Sequence, residues 1–364
     1  MKKYITLGEV CFKASSSIAQ KDLQGIDGDY PIYGASGFIK NIDFYQQDKP
    51  YIAIVKDGAG IGRTMFLPAY SSVIGTMQYI IPKDSMDIGF LYYAIYFMNL
   101  GKYYSGATIP HIYFKDYQKE LIPVFTRDKQ ESIVKILRSI DTLINHNNAQ
   151  LLDFDLLVKS RFIEMFGNEN QAFDNWRVGS VADIANVTVG VVIKPTQYYA
   201  DKGVPAFRSL NIGEMKVKDE DWVYFTEEGH KKNPKSVIKE NDVLVVRSGA
   251  PGVACVASEK YVGYNAVDII IAHPNQRLIN SVYMAMFTNM PHGMNQIRTK
   301  IGGAAQQHYN VGGYKSLKIA LPPIEIQNQF ADFVAQVDKS KLAVQQNLNE
   351  LETLKKSLMQ QYFG

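Results

Sequence analysis

Cysteine is nearly absent from this chain of 364 residues, which contains only Cys11 and Cys255. Two cysteines allow neither a disulfide framework nor a cysteine-based zinc site, and they fit a protein of the reducing cytoplasm. Long apolar runs are missing too, because the longest, at residues 88–98, is shorter than the ~18 residues that a bilayer span needs. The chain begins like a signal peptide, but Glu9 and Lys13 interrupt any hydrophobic segment. We therefore expect a cytoplasmic protein without a membrane partner.

An excess of charge of one sign is also lacking. The chain has 39 Lys and Arg against 36 Asp and Glu, and a net charge of +3 does not by itself name a partner. A composition that is 46% hydrophobic and 21% charged excludes wholesale disorder. The length is about twice the ~150 residues of an ordinary domain, which predicts two globular units.

Sequence signatures of catalysis are missing. The stretch GAGIGRT at residues 58–64 has neither G-x-x-x-x-G-K-[ST] nor G-x-G-x-x-G spacing, and we interpret it as a glycine-rich turn between strands. The six histidines show no His-Glu-x-x-His spacing, which argues against a zinc site. The chain has no Asn-Pro-Pro-Tyr or Asp-Pro-Pro-Tyr stretch of the amino-methyltransferase kind, and its Glu-x-Lys at 214–216 lacks the preceding Pro-Asp of nucleases. We expect no catalytic residues, no metal and no cofactor.

What the sequence does contain is an internal repeat. The dipeptide Phe-Gly at 166–167 recurs at 363–364, and the same offset of 197 residues carries Gln130 onto Gln327. Because these positions fall near the beginning and the end of two apolar-periodic segments, they indicate two copies of one helical element.

Further blocks repeat in the same order. The segment YIAIVKDGAG at 51–60 resembles DVLVVRSGAP at 242–251, and each reads as an apolar strand, a basic residue and a glycine turn. The segment SGATIPHIY at 105–113 matches IGGAAQQHY at 301–309, an alignment that leaves their histidines one residue apart. The shared order predicts a duplicated module, each copy a globule followed by a long helix.

Each globule is predicted to be mixed and β-rich, because short runs of β-branched and aromatic residues are bounded by Gly, Pro and Asn. The predicted strands include Tyr51–Val55, residues 79–81, Val243–Val246 and residues 268–271. Short amphipathic helices are predicted at 89–99 and 280–288. The predicted fold class is α+β: two β-rich globules in a pseudo-twofold repeat, joined by two long helices. The predicted boundaries are 1–125 and 168–323 for the globules, and 126–167 and 324–364 for the helices.

The two long helices have a heptad pattern in the same register, which is typical of a coiled-coil seam. The predicted seam residues are Ile133, Leu137, Ile140, Ile144, Asn147, Leu151, Phe154 and Val158 in the first helix, and Phe330, Val334, Val337, Lys341, Val344, Leu348, Leu351, Lys355 and Leu358 in the second. Two homodimer zippers are one interpretation. Two matching helices in one chain more simply pair with each other, and the repeat would make that pairing antiparallel. Polar seam residues fix register and partner choice.

The whole chain resembles the specificity subunit of type I restriction–modification systems. The resembling segments are YGASG at 33–37, the strand–turn segments at 51–60 and 242–249, QESI at 130–133, LPPIEIQ at 321–327 and the two Phe-Gly ends. The resemblance implies that the globules are target-recognition domains, each reading one half of a bipartite sequence in double-stranded DNA. It also implies that the helices set the spacer and dock two methyltransferase subunits, with restriction subunits joining in the full complex.

Candidate DNA contacts follow from repeat position, loop context and residue type. Arg and Lys reach guanine edges or phosphates, and Asn and Gln pair with adenine. The candidates are Lys56, Arg63, Thr108, His111 and Lys115 in the first head, and Arg208, Asn211, Arg247, Gln306, Gln307, His308 and Asn310 in the second.

A different class of function is also open. A protein–protein scaffold would likewise consist of two ligand-binding heads on a coiled-coil rod, and divergent head sequences fit it equally well. A fused methyltransferase–endonuclease is disfavoured by the missing catalytic motifs. DNA binding that depends on half-site spacing would separate the specificity subunit from the scaffold.

Overall fold

A computed structural model of the chain describes residues 3–106, 110–301 and 308–364. The chain divides into two compact units. The first unit comprises Met1–Ala149 and Gln345–Gly364, and the second comprises Gln150–Val344. Among the described residues, no helix combines the length and the apolar character that crossing a membrane requires.

The first unit is built on an antiparallel four-stranded sheet with the order β2-β8-β5-β6. A smaller sheet has the order β4-β3-β7, and β1 pairs with β9. The strands are β1 (Tyr4–Thr6), β2 (Cys11–Ser15), β3 (Tyr30–Gly34), β4 (Gly37–Ile42), β5 (Tyr51–Val55), β6 (Thr64–Leu67), β7 (Ser72–Val73), β8 (Met77–Pro82) and β9 (Leu121–Pro123). The helices are α1 (Leu7–Val10), α2 (Ile88–Met98), α3 (Phe114–Tyr117) and the long α4 (Arg127–Phe166), which continues into the second unit.

The second unit repeats this plan. Its main sheet has the order β11-β20-β17-β18, a second sheet has the order β12-β16-β13-β19, and β10 pairs with β21. The strands are β10 (Arg177–Ser180), β11 (Ala185–Val189), β12 (Tyr199–Ala200), β13 (Val204–Phe207), β14 (Ile212–Gly213), β15 (Lys216–Val217), β16 (Val223–Phe225), β17 (Val243–Val246), β18 (Ala254–Val256), β19 (Asn265–Ala266), β20 (Ile269–Pro274) and β21 (Lys318–Leu321). The helices are α5 (Gln171–Asn175), α6 (Val181–Ile184), α7 (Glu227–Lys232), α8 (Ser281–Asn289), α9 (Pro291–Arg298), α10 (Val311–Lys315) and the long α11 (Ile324–Phe363).

The duplication inferred from the sequence is confirmed by the strand order of the two main sheets. The order β2-β8-β5-β6 in the first unit corresponds strand by strand to β11-β20-β17-β18 in the second. All neighbouring strands in both sheets are antiparallel. Each smaller sheet contains one parallel pair, β3 with β7 and β13 with β19. The α+β class is therefore confirmed in both copies.

The central strand of each main sheet is buried on both faces, which explains its uninterrupted apolar sequence. Along β5, Ile52 and Ile54 pack into one hydrophobic cluster, whereas Tyr51, Ala53 and Val55 pack into another. The strand β17 alternates in the same way between two clusters. Because side chains on a strand alternate between faces, a strand with no polar position must separate two cores.

The helices α2 and α8 lie where the sequence predicted helices, but they are not amphipathic. The side chains of α2 are buried on most sides, with Tyr96 as an exposed exception, and α8 is buried over most of its length. Asp87 caps α2 by accepting from the amide of Phe90, and Asn280 caps α8 by accepting from the amide of Val282. Each of these helices is covered on one side by a sheet and on another by a long helix. Apolar residues are therefore needed on more than one face of the helix.

The two long helices pair with each other in antiparallel fashion within each unit. In the first unit, residues 127–149 of α4 pack against residues 345–363 of α11, and Lys355 Nζ is 2.6 Å from Asp141 Oδ1. In the second unit, Lys341 Nζ is 2.6 Å from Asp155 Oδ1. The predicted seam residues are buried or half-buried at every position.

The repeated glutamines fasten each long helix to its own head. Gln130 Oε1 accepts a hydrogen bond of 2.8 Å from the backbone amide of Asp87, the residue that caps α2. Gln327 Oε1 accepts one of 2.9 Å from the amide of Asn280, which caps α8. Both glutamines are buried, and this shared contact explains why the residue recurs at the 197-residue offset.

Candidate nucleic-acid interface

A cation, a carboxylate and a histidine lie in contact where β5 ends in the first unit. Lys56 Nζ is 3.2 Å from Asp57 Oδ2, and His111 Nδ1 is 2.7 Å from Asp57 Oδ1. The backbone amide of Ile112 donates to the carbonyl of Lys56 over 2.9 Å, which holds the His111 loop against the strand end. Lys56, Asp57 and His111 are called the first cluster below.

An aromatic ring and a second lysine extend the first cluster toward solvent. The ring of Tyr113 lies nearly parallel to that of His111 at 6.3 Å between centroids, and Lys115 Nζ is 5.3 Å from the Tyr113 ring centroid. Tyr113 is 50% exposed. A half-exposed aromatic ring beside cations is a surface on which a base or sugar could stack.

Arg63 is exposed at the other end of the turn between β5 and β6. Its guanidinium Nη1 donates over 2.7 Å to the carbonyl of Ala35, which lies in the separate turn between β3 and β4. Gly58, Gly60 and Gly62 have φ between +81° and +88°, so this is the glycine-rich turn that the sequence predicted. The candidate Thr108 lies outside the described residues.

The second unit has a matching group of four side chains where β17 ends. Arg247 Nη1 donates to Asp268 Oδ1 over 2.6 Å, and Ser248 Oγ is 3.3 Å from Asp268 Oδ2. Ser248 Oγ is also 2.7 Å from His308 Nδ1. Arg247, Ser248, Asp268 and His308 are called the second cluster below. The Arg247 side chain is only 16% exposed, and its buried Nε has no hydrogen-bond partner among the described residues.

The backbone contacts correct the alignment of the two histidines. The amide of Tyr309 donates to the carbonyl of Arg247 over 2.9 Å, as the amide of Ile112 does to Lys56. This pairing makes His308 equivalent to His111 at an offset of 197 residues, whereas the sequence comparison left them one residue apart. The offset is the one that relates the long helices, so no insertion separates these loops from the helices that follow.

The carboxylate of each cluster comes from a different strand end. In the first unit Asp57 directly follows Lys56, and the equivalent position after Arg247 is Ser248. In the second unit the carboxylate is Asp268. Two residues take its place in the first unit, because Gly75 makes the equivalent backbone contact and Thr76 follows in the register against the central strand. Gly75 and Asp268 each donate a backbone amide to the loop after the first main-sheet strand, Gly75 to Ile18 and Asp268 to Val191.

Three other second-head candidates, Arg208, Asn211 and Asn310, make their hydrogen bonds outside the second cluster. Asn211 is fully buried, its Oδ1 accepts from the amide of Arg208, and its Nδ2 donates to the carbonyl of Glu220 over 2.7 Å. This differs from the expected surface role, because the side chain holds a turn. Arg208 donates from Nη2 to the carbonyl of Asp221, and Asn310 caps α10 by accepting from the amide of Gly313. Gln306 and Gln307 lie outside the described residues.

Sequence reasoning missed Asp57, Ser248, Asp268 and Tyr113. Asp57 and Ser248 each follow the aligned basic residue, so the repeat itself contained the signal for those two. Asp268 had no such signal, because neither Gly75 nor Thr76 is acidic and its contact with Arg247 spans two strands. The sequence comparison aligned Tyr113 with Tyr309. The two residues are not equivalent, because Tyr113 is half-exposed and Tyr309 is buried.

The other chemically reactive side chains are in the cores. Burial raises the pKa of the Cys11 and Cys255 thiols to about 12, so neither forms a thiolate at neutral pH. Tyr309 is fully buried, as expected for a core aromatic, and burial raises the pKa of its hydroxyl. Within residues 3–106, 110–301 and 308–364, no group of three or more His, Cys, Asp or Glu side chains could hold a metal ion.

Comparisons with known proteins agree on one family. The model of the type I restriction modification DNA specificity domain matches residues 2–153 and again residues 174–353. The type I restriction enzyme MjaVIII specificity subunit of Methanocaldococcus jannaschii is 22% identical over 330 residues, which cover 85% of this chain and 77% of that protein.

Solved structures give the same fold. The type I restriction–modification S subunit of M. genitalium superposes with a TM-score of 0.64 at 14% identity, covering 100% of this chain and 96% of that one. A chain from a structure on complex assembly and conformational transition of the type I restriction–modification system gives a TM-score of 0.58 at 15% identity, covering 100% and 97%. The family model matches most of the sequence in two copies, and the chain therefore belongs to the type I restriction–modification DNA specificity family, whose members are the non-catalytic subunits of their complexes.

Proposed function

We propose that this chain selects the DNA target of a type I restriction–modification complex, and that each head reads one half of a bipartite site in double-stranded DNA. The observation that carries the proposal is the recurrence of the first cluster as the second cluster, at equivalent backbone positions of a duplicated fold. The side chains of the two clusters differ, and two different readers on one scaffold suit an asymmetric target.

The charge of the heads supports base reading over simple attraction to phosphates. Residues 1–125 contain 12 basic and 11 acidic side chains, and residues 168–323 contain 17 and 14. Phosphate contacts position a protein on a duplex but carry no sequence information. Heads with so little net charge depend on partner subunits for much of their affinity, and they contribute mainly selectivity.

We further propose that residues 126–167 and 324–364 act as a spacer that fixes the distance between the half-sites. Each long helix has 40 residues, and forty residues of α-helix rise about 60 Å. Half-sites on a duplex are separated by fixed multiples of the base-pair rise, so a stiff protein spacer selects one gap.

The same helices are the proposed docking surface for two methyltransferase subunits, with restriction subunits joining in the full complex. Leu152, Leu156 and Leu342 are 66%, 61% and 60% exposed, although Leu is common at buried positions. Several such apolar side chains on the outer faces of the helices favour a protein partner there.

A spacing series tests this function. The chain is assembled with its methyltransferase subunits, and its affinity is measured for duplexes that contain the two half-sites with gaps that differ by one base pair. The proposal predicts one preferred gap, and a seven-residue insertion in both long helices is expected to change it. A complex that binds no gapped duplex more tightly than random DNA would contradict the proposal and favour a protein–protein scaffold.

A further inference from the structure

We propose that His111 and His308 are specificity-determining residues that each accept, at Nε2, a hydrogen bond from an exocyclic amino group of a base. Asp57 and Asp268 are then positioning residues, because they decide which ring nitrogen is the acceptor. This inference rests on the proposed function, since it takes the partly exposed histidines to face DNA.

The proton of the neutral His111 ring is fixed by its contact with Asp57. An ionised carboxylate accepts hydrogen bonds and cannot donate one. At 2.7 Å from Asp57 Oδ1, His111 Nδ1 must therefore be the donor, and the Lys56 ammonium lies beside the same carboxylate. The neutral imidazole has one N–H, so Nε2 is left as an acceptor.

The second cluster gives the same result through one additional group. Asp268 accepts from Arg247 and also lies 3.3 Å from Ser248 Oγ, a contact in which only the serine hydroxyl can donate. A hydroxyl has one proton, so when Ser248 donates it to Asp268, Ser248 Oγ accepts from His308 Nδ1 at 2.7 Å. In this arrangement every contact has one donor and one acceptor, and Nε2 of His308 is again the acceptor.

The carboxylate comes from a different strand end in each head, yet in both heads it fixes the position of the ring proton. This difference supports a functional role for the position of that proton. Neither Asp57 nor Asp268 has an acidic counterpart in the other head, yet each head keeps one carboxylate that orients its histidine. Asp268 also has a left-handed backbone, with φ of +50°, a conformation that is unfavourable for most residues other than glycine. Such strain persists where the surrounding structure or the function requires the side chain.

The chemistry of the base edges defines what an acceptor reads. In the major groove, adenine and cytosine present amino groups, whereas guanine and thymine present carbonyl oxygens at the corresponding places. A neutral Nε2 acceptor therefore favours adenine over guanine, or cytosine over thymine. Each half-site is expected to contain one position at which an amino group is required.

Base analogues test the reading by each histidine. The probe is a duplex with the chain's own gapped motif, identified from the methylation pattern of genomic DNA. Each adenine is replaced in turn by purine, which lacks the 6-amino group, and each cytosine by its 4-deamino analogue. For the assembled complex we expect one position in each half-site at which the analogue weakens binding about threefold to tenfold, the contribution of one hydrogen bond.

The histidine variants assign these positions to the heads. His111→Ala is expected to remove the sensitivity in one half-site only, and His308→Ala in the other half-site only. The proposal is overturned if the assembled complex binds its gapped motif and both variants keep the full sensitivity to every analogue. If the complex binds no gapped motif at all, it is the proposed function that fails.

The positioning role has a spectroscopic test. In the full chain labelled with ¹⁵N-histidine, the nitrogen shifts report which ring nitrogen carries the proton, and we expect Nδ1 for both residues. Asp57→Ser removes the carboxylate while neither Gly75 nor Thr76 offers a replacement, so His111 should lose this preference and the amino-group discrimination of its half-site. Asp27→Ser removes an exposed partner of Lys40 and is the matched control. It should change neither the position of the His111 ring proton nor the amino-group discrimination. Unchanged spectra and discrimination in Asp57→Ser would overturn the positioning role.

Discussion

The two heads form the same cluster from different residues. In the first, Asp57 contacts His111 directly, and in the second, Ser248 lies between His308 and Asp268. The backbone contacts that hold the two histidine loops are identical in kind. Because the duplicated backbone fixes the place of the histidine, the residues that orient it can change without loss of the site.

A second contrast between the units lies where the long helices meet the heads. In the second unit, Phe330 packs between Phe162 and Phe166, with ring centroids 5.3 and 5.6 Å apart. The residue of the first unit at the 197-residue offset is Ile133, which is equally buried. The same position is therefore aromatic in one copy and aliphatic in the other.

The largest expected effect is on this helix contact. Phe330→Ala should lower the free energy of unfolding of the second unit by ~3–5 kcal/mol, because it opens a cavity in a fully buried aromatic group. Ile133→Val in the first unit should cost only ~0.5–1.5 kcal/mol. Tryptophan fluorescence reports only the second unit, since Trp176 and Trp222 both belong to it, so urea unfolding is followed by circular dichroism, which reports the helices of both units. A larger loss of unfolding free energy for Ile133→Val than for Phe330→Ala would contradict this contrast.

A smaller effect is expected on DNA affinity from the two cluster cations. If Arg247 contacts a base or a phosphate as proposed, Arg247→Ala should weaken binding by the assembled complex by ~1–3 kcal/mol, and the substitution also leaves Asp268 without its cation. Lys56→Ala should cost less, ~1 kcal/mol at most, because the Lys56 side chain is more exposed than that of Arg247. Fluorescence anisotropy on duplexes with the preferred gap measures both. Equal binding by wild type and Arg247→Ala would remove Arg247 from the reading surface.

The ion pairs of the helix seam should differ in strength. Asp141 is 27% exposed and also accepts from the Tyr93 hydroxyl over 2.7 Å, so Asp141→Ala should destabilise the first unit by ~1–2 kcal/mol. Asp155 is 60% exposed, and Asp155→Ala should cost ~0.5 kcal/mol or less. Calorimetry on the two variants compares them directly, and a larger loss for Asp155→Ala would show that exposure does not govern these pairs.

The smallest expected effect is a pH dependence of the second unit. Burial lowers the pKa of His292, which lies between Phe162 and Phe287 and contacts the carbonyl of Gly167 over 3.0 Å. The unfolded chain then binds the proton more readily than the folded one, so stability should fall as the pH drops through ~6.5. His292→Gln should flatten this part of the profile in tryptophan-detected unfolding. An unchanged slope between pH 7 and pH 5.5 would contradict the assignment.

The sequence predicted the repeat, the central strands and the long helices well, because each depends on local periodicity. The spacing of apolar residues within a single element was sufficient to predict the helix seam and the strands Tyr51–Val55 and Val243–Val246. The widened apolar surface of α2 was not predictable, because the second side is covered by residues far along the chain.

The candidate site was predicted less completely. Lys56, Arg247, His111 and His308 were recognised from residue type and repeat position, and the structure brings them together in pairs. Asp268 was not, because its role depends on a contact between two strands and neither Gly75 nor Thr76 in the first unit is acidic. Asn211 had the residue type of a base reader, but its amide is used by backbone groups of a turn.

The most direct test of the account is methylation sequencing of cells that contain the wild-type chain, the His111→Ala variant or no chain. If each head reads its own half, one gapped motif disappears without the chain, and the variant shows relaxed selectivity in one half of that motif. A motif without a gap, or a variant that alters both halves equally, would contradict the claim that each head reads its own half.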